Sequence, residues 1–65
     1  MTLHEAFALF RRLGVEVASI PRAEFKAAYY RLARRYHPDV NPSGHELMAN
    51  INAARSTIFK SYLPG

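Results

Sequence analysis

The sequence predicts a single all-α domain of three helices. Three segments separated by Gly and Pro residues each place apolar side chains at helical spacing, and none shows the alternation of a strand. A chain of 65 residues is long enough for one small domain only. Hydrophobic residues make up 49% of the chain and charged residues 22%, which favours a folded domain over a disordered one. Since cysteine is absent, helix packing has to stabilise this domain without disulfides.

The first helix is predicted over residues 3–13. Gly14 follows at the position where many helices end in a left-handed residue, and Arg11 and Arg12 complement the negative end of the helix dipole. The apolar stripe of this helix consists of Leu3, Ala6, Phe7, Leu9, Phe10 and Leu13. The apolar residues of the following connection are expected to pack beneath it, namely Val15, Val17 and Ile20.

The second helix is predicted over residues 21–36. Pro21 suits the first turn of a helix, and Glu24 complements the positive end of the dipole. Because His37 precedes Pro38, its backbone is restricted to extended geometry, so the helix ends before it. The apolar stripe consists of Phe25, Tyr29, Leu32 and Tyr36.

The third helix is predicted over residues 44–62, after a loop of residues 37–43. Ser43 and Glu46 have the spacing of a capping box. Arg55 falls on the apolar side, so its guanidinium has to reach the rim or pair with an acid such as Glu46 or Asp39. The apolar stripe consists of Leu47, Ile51, Ala54, Ile58 and Tyr62. The short loops predict an antiparallel hairpin of the second and third helices, with the first helix packed across it.

The net charge of +4 suggests a partner with an anionic surface. Between Glu24 and Asp39 the second helix carries no acid, whereas a solvated surface normally mixes both signs. Its exposed side presents Lys26, Tyr30, Arg31, Arg34 and Arg35. Arginine beside an exposed aromatic ring is typical of protein-interface hot spots. We therefore interpret this side as a docking surface rather than as a merely solvated face.

The tripeptide His37-Pro38-Asp39 is the most constrained segment of the chain. Pro38 fixes one backbone angle and restricts its predecessor, so His37 and Asp39 project from a rigid base. Asn41-Pro42 follows directly. Both Pro-Asp and Asn-Pro are common turn dipeptides, so the spacing by itself favours an ordinary structural turn.

The sequence favours a binding protein over an enzyme. The three histidines do not form an i, i+4 pair and there is no cysteine, so no metal site is predicted. No serine or cysteine nucleophile pairs with His37 and Asp39, and so short a chain has little room for an enclosed pocket. We expect no cofactor and no small-molecule substrate. The absence of a long apolar run and of a signal-peptide pattern favours a cytoplasmic protein without membrane contact.

Taken together, four segments resemble the J-domain of DnaJ-type co-chaperones. They are Leu13-Gly14-Val15, the stretch of residues 25–33, the block Tyr36-His37-Pro38-Asp39-x-Asn41-Pro42, and Ile51-Asn52-Ala53-Ala54. The resemblance covers nearly the whole chain in order and spacing, and its central block is highly specific.

The resemblance implies a domain that docks on a DnaK-type ATPase chaperone and speeds the hydrolysis of its ATP. By position, the family's trigger corresponds to His37, Pro38 and Asp39. The remaining matches are Lys26 and Arg31 at basic docking positions, Tyr29 at a tyrosine position and Asn41 in the loop. We add Tyr30, Arg34 and Arg35 to the expected docking residues, and we expect a monomer.

Three departures from the family pattern stand out. Tyr30 occupies a position that is often basic, which moves docking charge to Arg34 and Arg35. Arg55 occupies a position that is usually aromatic, which predicts a less stable core or a new ionic contact. The sequence stops at Pro64-Gly65, so the usual short fourth helix is expected to be missing.

Two other functions stay open at this point. A J-like domain could serve as a docking or assembly module that does not activate an ATPase. A basic helical domain could also bind nucleic acid. The second alternative is disfavoured, because the helical wheel separates Arg31 and Arg35 from Lys26 and a Pro-rich loop replaces the tight turn before a recognition helix.

Overall fold

The structure, a computed structural model, describes residues 1–62 and is built from helices alone. Three α-helices and two short 3₁₀ turns follow one another in the order α1 (Leu3–Arg12), 3₁₀ turn (Val17–Ser19), α2 (Arg22–Tyr36), 3₁₀ turn (Pro42–Gly44) and α3 (His45–Tyr62). No strand occurs within residues 1–62, so the predicted all-α class is confirmed. The side chain of Tyr62 and the region beyond it lie outside the described residues, and with them the predictions of Tyr62 burial and of a missing fourth helix.

Helix α1 is closed by capping interactions at both ends. At its start, the Glu5 N–H donates to Thr2 Oγ1 at 3.1 Å and the Thr2 N–H donates to Glu5 Oε1 at 2.8 Å, a capping box that we did not predict. The Thr2 backbone hydrogen bond is the main cause that lowers the pKa of Glu5. At its end, Gly14 adopts a φ of 88° and the Val15 N–H donates to the Phe10 carbonyl at 2.8 Å. This Schellman geometry agrees with the predicted role of Gly14.

The core lies where the three helices meet. Phe25 of α2 is fully buried, and its ring makes edge-to-face contacts with Phe10 of α1 at 5.0 Å and with Phe59 of α3 at 5.4 Å between centroids. The other buried apolar residues are Ala6, Leu9, Val15, Val17, Ala28, Leu32, Met48, Ile51, Ala54 and Ile58. Val15 and Val17 therefore lie in the core as predicted. Within residues 1–62, no helix combines the length and apolar character needed to cross a bilayer.

The capping box predicted at the start of α3 is wrong. The Ser43 hydroxyl donates to Asn41 Oδ1 at 2.8 Å, and the Ser43 N–H donates to the same oxygen at 3.3 Å. Asn41 is thus the capping residue, and Pro42 occupies the first position of the 3₁₀ turn that leads into α3. Because this turn begins two residues earlier than the predicted helix, Ser43 lies inside the turn and not at its cap.

Arg55 does not form the ion pair that we considered with Glu46 or Asp39. Its guanidinium carbon lies 4.8 Å from the ring centroid of Tyr29 and 4.8 Å from that of Phe59, so two aromatic rings contact the cation. The side chain is half-buried, and its Nε atom is buried without a hydrogen-bond acceptor. Arg55 therefore stacks on the rings of Tyr29 and Phe59, and its Nε–H has no hydrogen-bond acceptor.

Replacing Arg55 with Tyr is expected to raise the melting temperature. A buried N–H without a partner costs about 1–3 kcal/mol, and the tyrosine ring keeps aromatic contact with Tyr29 and Phe59. A net gain of about 1 kcal/mol corresponds to a rise of roughly 4–8 °C for a domain of this size. Thermal unfolding followed by circular dichroism measures the change, and Arg34→Tyr on the exposed side of α2 is the matched control. A lower melting temperature for Arg55→Tyr would show that cation–π stacking outweighs the unsatisfied N–H.

Candidate functional site

The loop after α2 is a turn closed by its own backbone. His37 has φ −59° and ψ 138°, the extended geometry that a following proline requires. Its N–H donates to the Ala33 carbonyl at 2.9 Å. Its own carbonyl accepts from the N–H groups of Val40 at 2.9 Å and Asn41 at 2.8 Å. The segment from residue 37 to residue 41 is therefore tied both to the end of α2 and to itself.

The side chains of His37 and Asp39 lie side by side on this turn. The Asp39 N–H donates to His37 Nδ1 at 3.2 Å, and Asp39 Oδ2 lies 3.6 Å from the same nitrogen. The contact with Oδ2 becomes an ion pair only when the ring is protonated. The Asp39 side chain is 90% exposed and that of His37 55% exposed, so both present polar atoms to solvent.

Close backbone contact fixes the base of the loop. Gly44 is buried, and a Cβ atom added to it would overlap the carbonyl oxygen of Tyr36. The 3₁₀ turn before α3 therefore lies directly against the last turn of α2. Asn41 is half-buried, and its Oδ1 is engaged by Ser43. Asn41, a loop residue of the predicted site, thus caps the 3₁₀ turn before α3 when no partner is bound.

Two residues near the site were missed in the sequence. Val40 is 70% exposed, an apolar side chain at the tip of the loop beside Asp39. Val40 belongs to none of the apolar stripes of the three helices, and this is the sequence feature that could have indicated its exposure. Asn52 of α3 accepts a hydrogen bond at 2.7 Å from the hydroxyl of Tyr29, which is half-buried on α2. This bond joins the helix that carries the basic residues to α3, and no sequence pattern indicated it.

The basic residues of α2 are all exposed, but they do not form one compact patch. Helical spacing places Lys26, Tyr30 and Arg34 in one row and Arg31 and Arg35 in another. The first row begins beside α3, where Lys26 lines a groove with Arg55 and Phe59. The second begins beside the connection after α1, where Arg31 lines a smaller pocket with Gly14 and Ile20. Tyr30 is 51% exposed and packs edge-to-face on Tyr29.

The positive charge of α2 is not neutralised by neighbouring acids. Within residues 1–62, the ion pairs are Arg11 with Glu16 and the pH-dependent contact of His37 with Asp39. None of them involves a cation of α2. The guanidinium carbon of Arg35 lies 5.5 Å from the Tyr36 ring centroid, next to the start of the loop. The site thus combines an exposed carboxylate on a closed turn with two rows of uncompensated cations on the helix that leads into it.

Comparison with known proteins finds relatives of one kind. The model of the DnaJ domain family matches residues 8–61. The chain is 42% identical over 55 residues to the chaperone protein DnaJ of Acaryochloris marina, which covers 82% of this chain and 14% of that protein. It is 49% identical over 45 residues to the chaperone protein DnaJ of Dictyoglomus thermophilum, covering 60% of this chain and 12% of that protein.

A third relative is the DnaJ-like protein MG002 of Mycoplasma genitalium, which is 54% identical over 35 residues, or 54% of this chain and 11% of that protein. The matched region is thus a small part of each relative's length. No solved structure gives a significant match. The family match extends from α1 through the loop of residues 37–43 to the end of α3. This chain therefore belongs to the DnaJ domain family.

Proposed function

We propose that this domain binds a DnaK-type ATPase chaperone and stimulates its ATP hydrolysis. The DnaJ domain family is a family of co-chaperones and not of enzymes, and relatives of this chain are named chaperone protein DnaJ. The observation that carries the proposal is the exposed Asp39 carboxylate on a closed turn at the end of a cationic helix. The chain activates hydrolysis, and the chemistry of ATP cleavage belongs to the partner.

The two parts of the site contribute in different ways. The cations of α2 attract an acidic surface of the partner and raise the association rate, because charges at the rim of an interface act mainly on encounter. Asp39 then forms a charge-assisted hydrogen bond with an arginine of the partner. The His37 ring offers its Nε2 atom as a second polar contact for the partner, since its Nδ1 faces Asp39. Pro38 holds both side chains in place, and Asn41 supports the turn.

The test is steady-state ATP hydrolysis by a DnaK-type chaperone with this chain titrated in. Saturable stimulation is the expected result. A folded chain that binds the chaperone, seen by surface plasmon resonance, without stimulating it would contradict the proposal and favour a docking module. Binding to DNA and RNA with a steep salt dependence, in the absence of stimulation, would contradict it in favour of nucleic-acid recognition.

Removing two docking charges is expected to weaken binding without lowering the maximal rate. The double variant Arg31→Gln with Arg35→Gln loses the second basic row, and exposed charge pairs contribute about 0.2–1 kcal/mol each. The concentration for half-maximal stimulation is therefore expected to rise, by roughly thirtyfold at most for two such pairs, and to depend less on salt. Arg12→Gln with Lys60→Gln removes the same charge from α1 and from the end of α3 and is the matched control. A fall in the maximal rate at unchanged half-saturation would contradict the docking role.

A further inference from the structure

A groove between α2 and α3 contains Arg55 and Arg22, two cations that are not among the docking residues of the proposed function. Its volume is about 570 Å³, and it is lined by Arg22, Ala23 and Lys26 of α2 and by Arg55 and Phe59 of α3. It opens beside the start of α2, whereas the loop of residues 37–43 lies at the other end of that helix. Three of its five lining residues are cations, and the other two provide apolar surface.

The positive charge of this groove is uncompensated. None of the five carboxylate side chains of the sequence lines it, and within residues 1–62 none of them pairs with Arg22, Lys26 or Arg55. Arg22 is the first residue of α2, where a cation opposes the helix dipole. Arg55 holds a buried Nε atom without an acceptor. Both arginines stack on the Phe59 ring, but within residues 1–62 neither has a carboxylate partner.

We propose that this groove binds an acidic peptide segment of a protein partner. The paired N–H groups of Arg22 and Arg55 match the geometry of a carboxylate, which lysine alone does not provide. Lys26 adds a third charge at the edge, and an apolar side chain next to the carboxylate packs against Ala23. The inference goes beyond the proposed function, since it requires neither a DnaK-type chaperone nor ATP.

The shape and the aromatic surroundings favour a peptide over other anions. A volume of about 570 Å³ exceeds what one phosphate fills and lies in the range of sites that hold several ligand groups. Single-stranded nucleic acid binds through bases stacked on aromatic rings. Here the guanidinium carbons of Arg22 and Arg55 already lie over the Phe59 ring, at 5.6 Å and 4.8 Å from its centroid. The ring is therefore occupied by cations where a base would stack.

The experiment uses two fluorescein-labelled, acetylated pentapeptides, one of alternating glutamate and leucine and one of alternating glutamine and leucine. Fluorescence anisotropy at low salt measures their binding to the whole chain. We expect the glutamate peptide to bind and the glutamine peptide to bind at least tenfold more weakly, since charge-assisted hydrogen bonds are about twice as strong as neutral ones. Arg22→Gln and Arg55→Gln are each expected to weaken binding of the glutamate peptide by roughly fivefold or more. Arg12→Gln on α1 has the same charge change and is expected to leave it within about twofold.

Each other outcome overturns the proposal. Equal binding of the two peptides would show that charge does not select the ligand. Unchanged binding in Arg22→Gln and Arg55→Gln would place the contact elsewhere. Tighter binding of inorganic phosphate or of a thymidine decamer, sensitive to the same two variants, would identify a phosphate site. Arg22 is exposed, so Arg22→Gln is expected to retain the fold. Arg55 is half-buried, so Arg55→Lys, which keeps the charge, is measured as well in case Arg55→Gln disturbs the packing. Because no ATPase is present, this test can fail while the proposed function holds.

Discussion

Asp39→Asn is expected to abolish the stimulation of a DnaK-type ATPase while leaving the domain folded. The Asp39 side chain is 90% exposed. The hydrogen bond to His37 within the turn comes from the backbone N–H of Asp39, which the substitution retains. Removing one partner of a hydrogen-bonded charge pair that becomes buried in a complex costs about 2–5 kcal/mol. At a concentration that saturates the effect of the unmodified chain, stimulation should therefore fall to the basal rate. His37→Gln is expected to have the same effect, because it removes the ring that orders the Asp39 N–H.

Two measurements separate this effect from unfolding. Circular dichroism should show an unchanged helix content and a melting temperature within about 4 °C of the unmodified chain, as expected for an exposed substitution. Glu46→Gln makes the same change of charge at an exposed position in the first turn of α3 and is expected to stimulate normally. If Asp39→Asn stimulated as well as Glu46→Gln, the assignment of the trigger to residues 37 to 39 would be wrong.

Gly44→Ala is expected to reduce both stability and stimulation. The new Cβ overlaps the carbonyl oxygen of Tyr36, a backbone atom in the last turn of α2 that cannot rotate away as a side chain does. The two helix ends have to separate, and overpacking of this kind costs about 1–3 kcal/mol. A loss of about 2 kcal/mol corresponds to a fall in melting temperature of roughly 8–16 °C. Because the loop of residues 37–43 is attached to both helix ends, its position should shift as well.

Gly14→Ala provides the contrast for this prediction. Gly14 has φ 88°, which strains an alanine, but a Cβ there meets no atom within 4 Å. We expect it to cost about 1–2 kcal/mol and to leave stimulation per folded molecule unchanged, because it lies away from the loop. Thermal unfolding and ATPase assays below both melting temperatures compare the two variants. Normal melting and normal stimulation in Gly44→Ala would show that the helix ends can separate without cost.

Local rules accounted for much of the fold. The 3.6-residue stripes gave the three helices, and the restriction that Pro38 places on His37 gave the end of α2 at Tyr36. Gly14 indicated the end of α1, although the helix stops at Arg12, before the predicted boundary at residue 13. These features depend on residues within one helical turn of each other, so the sequence contains the necessary information.

Features that depend on contacts between helices could not be predicted in the same way. The cation–π stack of Arg55 requires Tyr29 of a different helix, and the need for glycine at position 44 arises from the carbonyl of Tyr36. At the start of α3, Asn41 and Ser43 both have capping side chains, and the chain uses the earlier one. The basic residues of α2 were indicated by the charge pattern and the loop of residues 37–43 by its prolines, and the resemblance to a family pattern then suggested their roles. Their roles in partner binding stay predictions until the variants are measured.

The hydrogen-bonded turn at His37 also affects the kinetics of docking. Its carbonyl accepts from two N–H groups and Pro38 removes a further degree of freedom, so the loop is ordered before any partner arrives. Ordering a flexible segment on binding consumes conformational entropy and adds a slow step after encounter. Here neither is required, and association should follow a single exponential whose rate rises linearly with chaperone concentration. In the proposed complex, we expect the lifetime to depend on the contacts of Asp39 and His37 and the rate of formation to depend on the charge of α2.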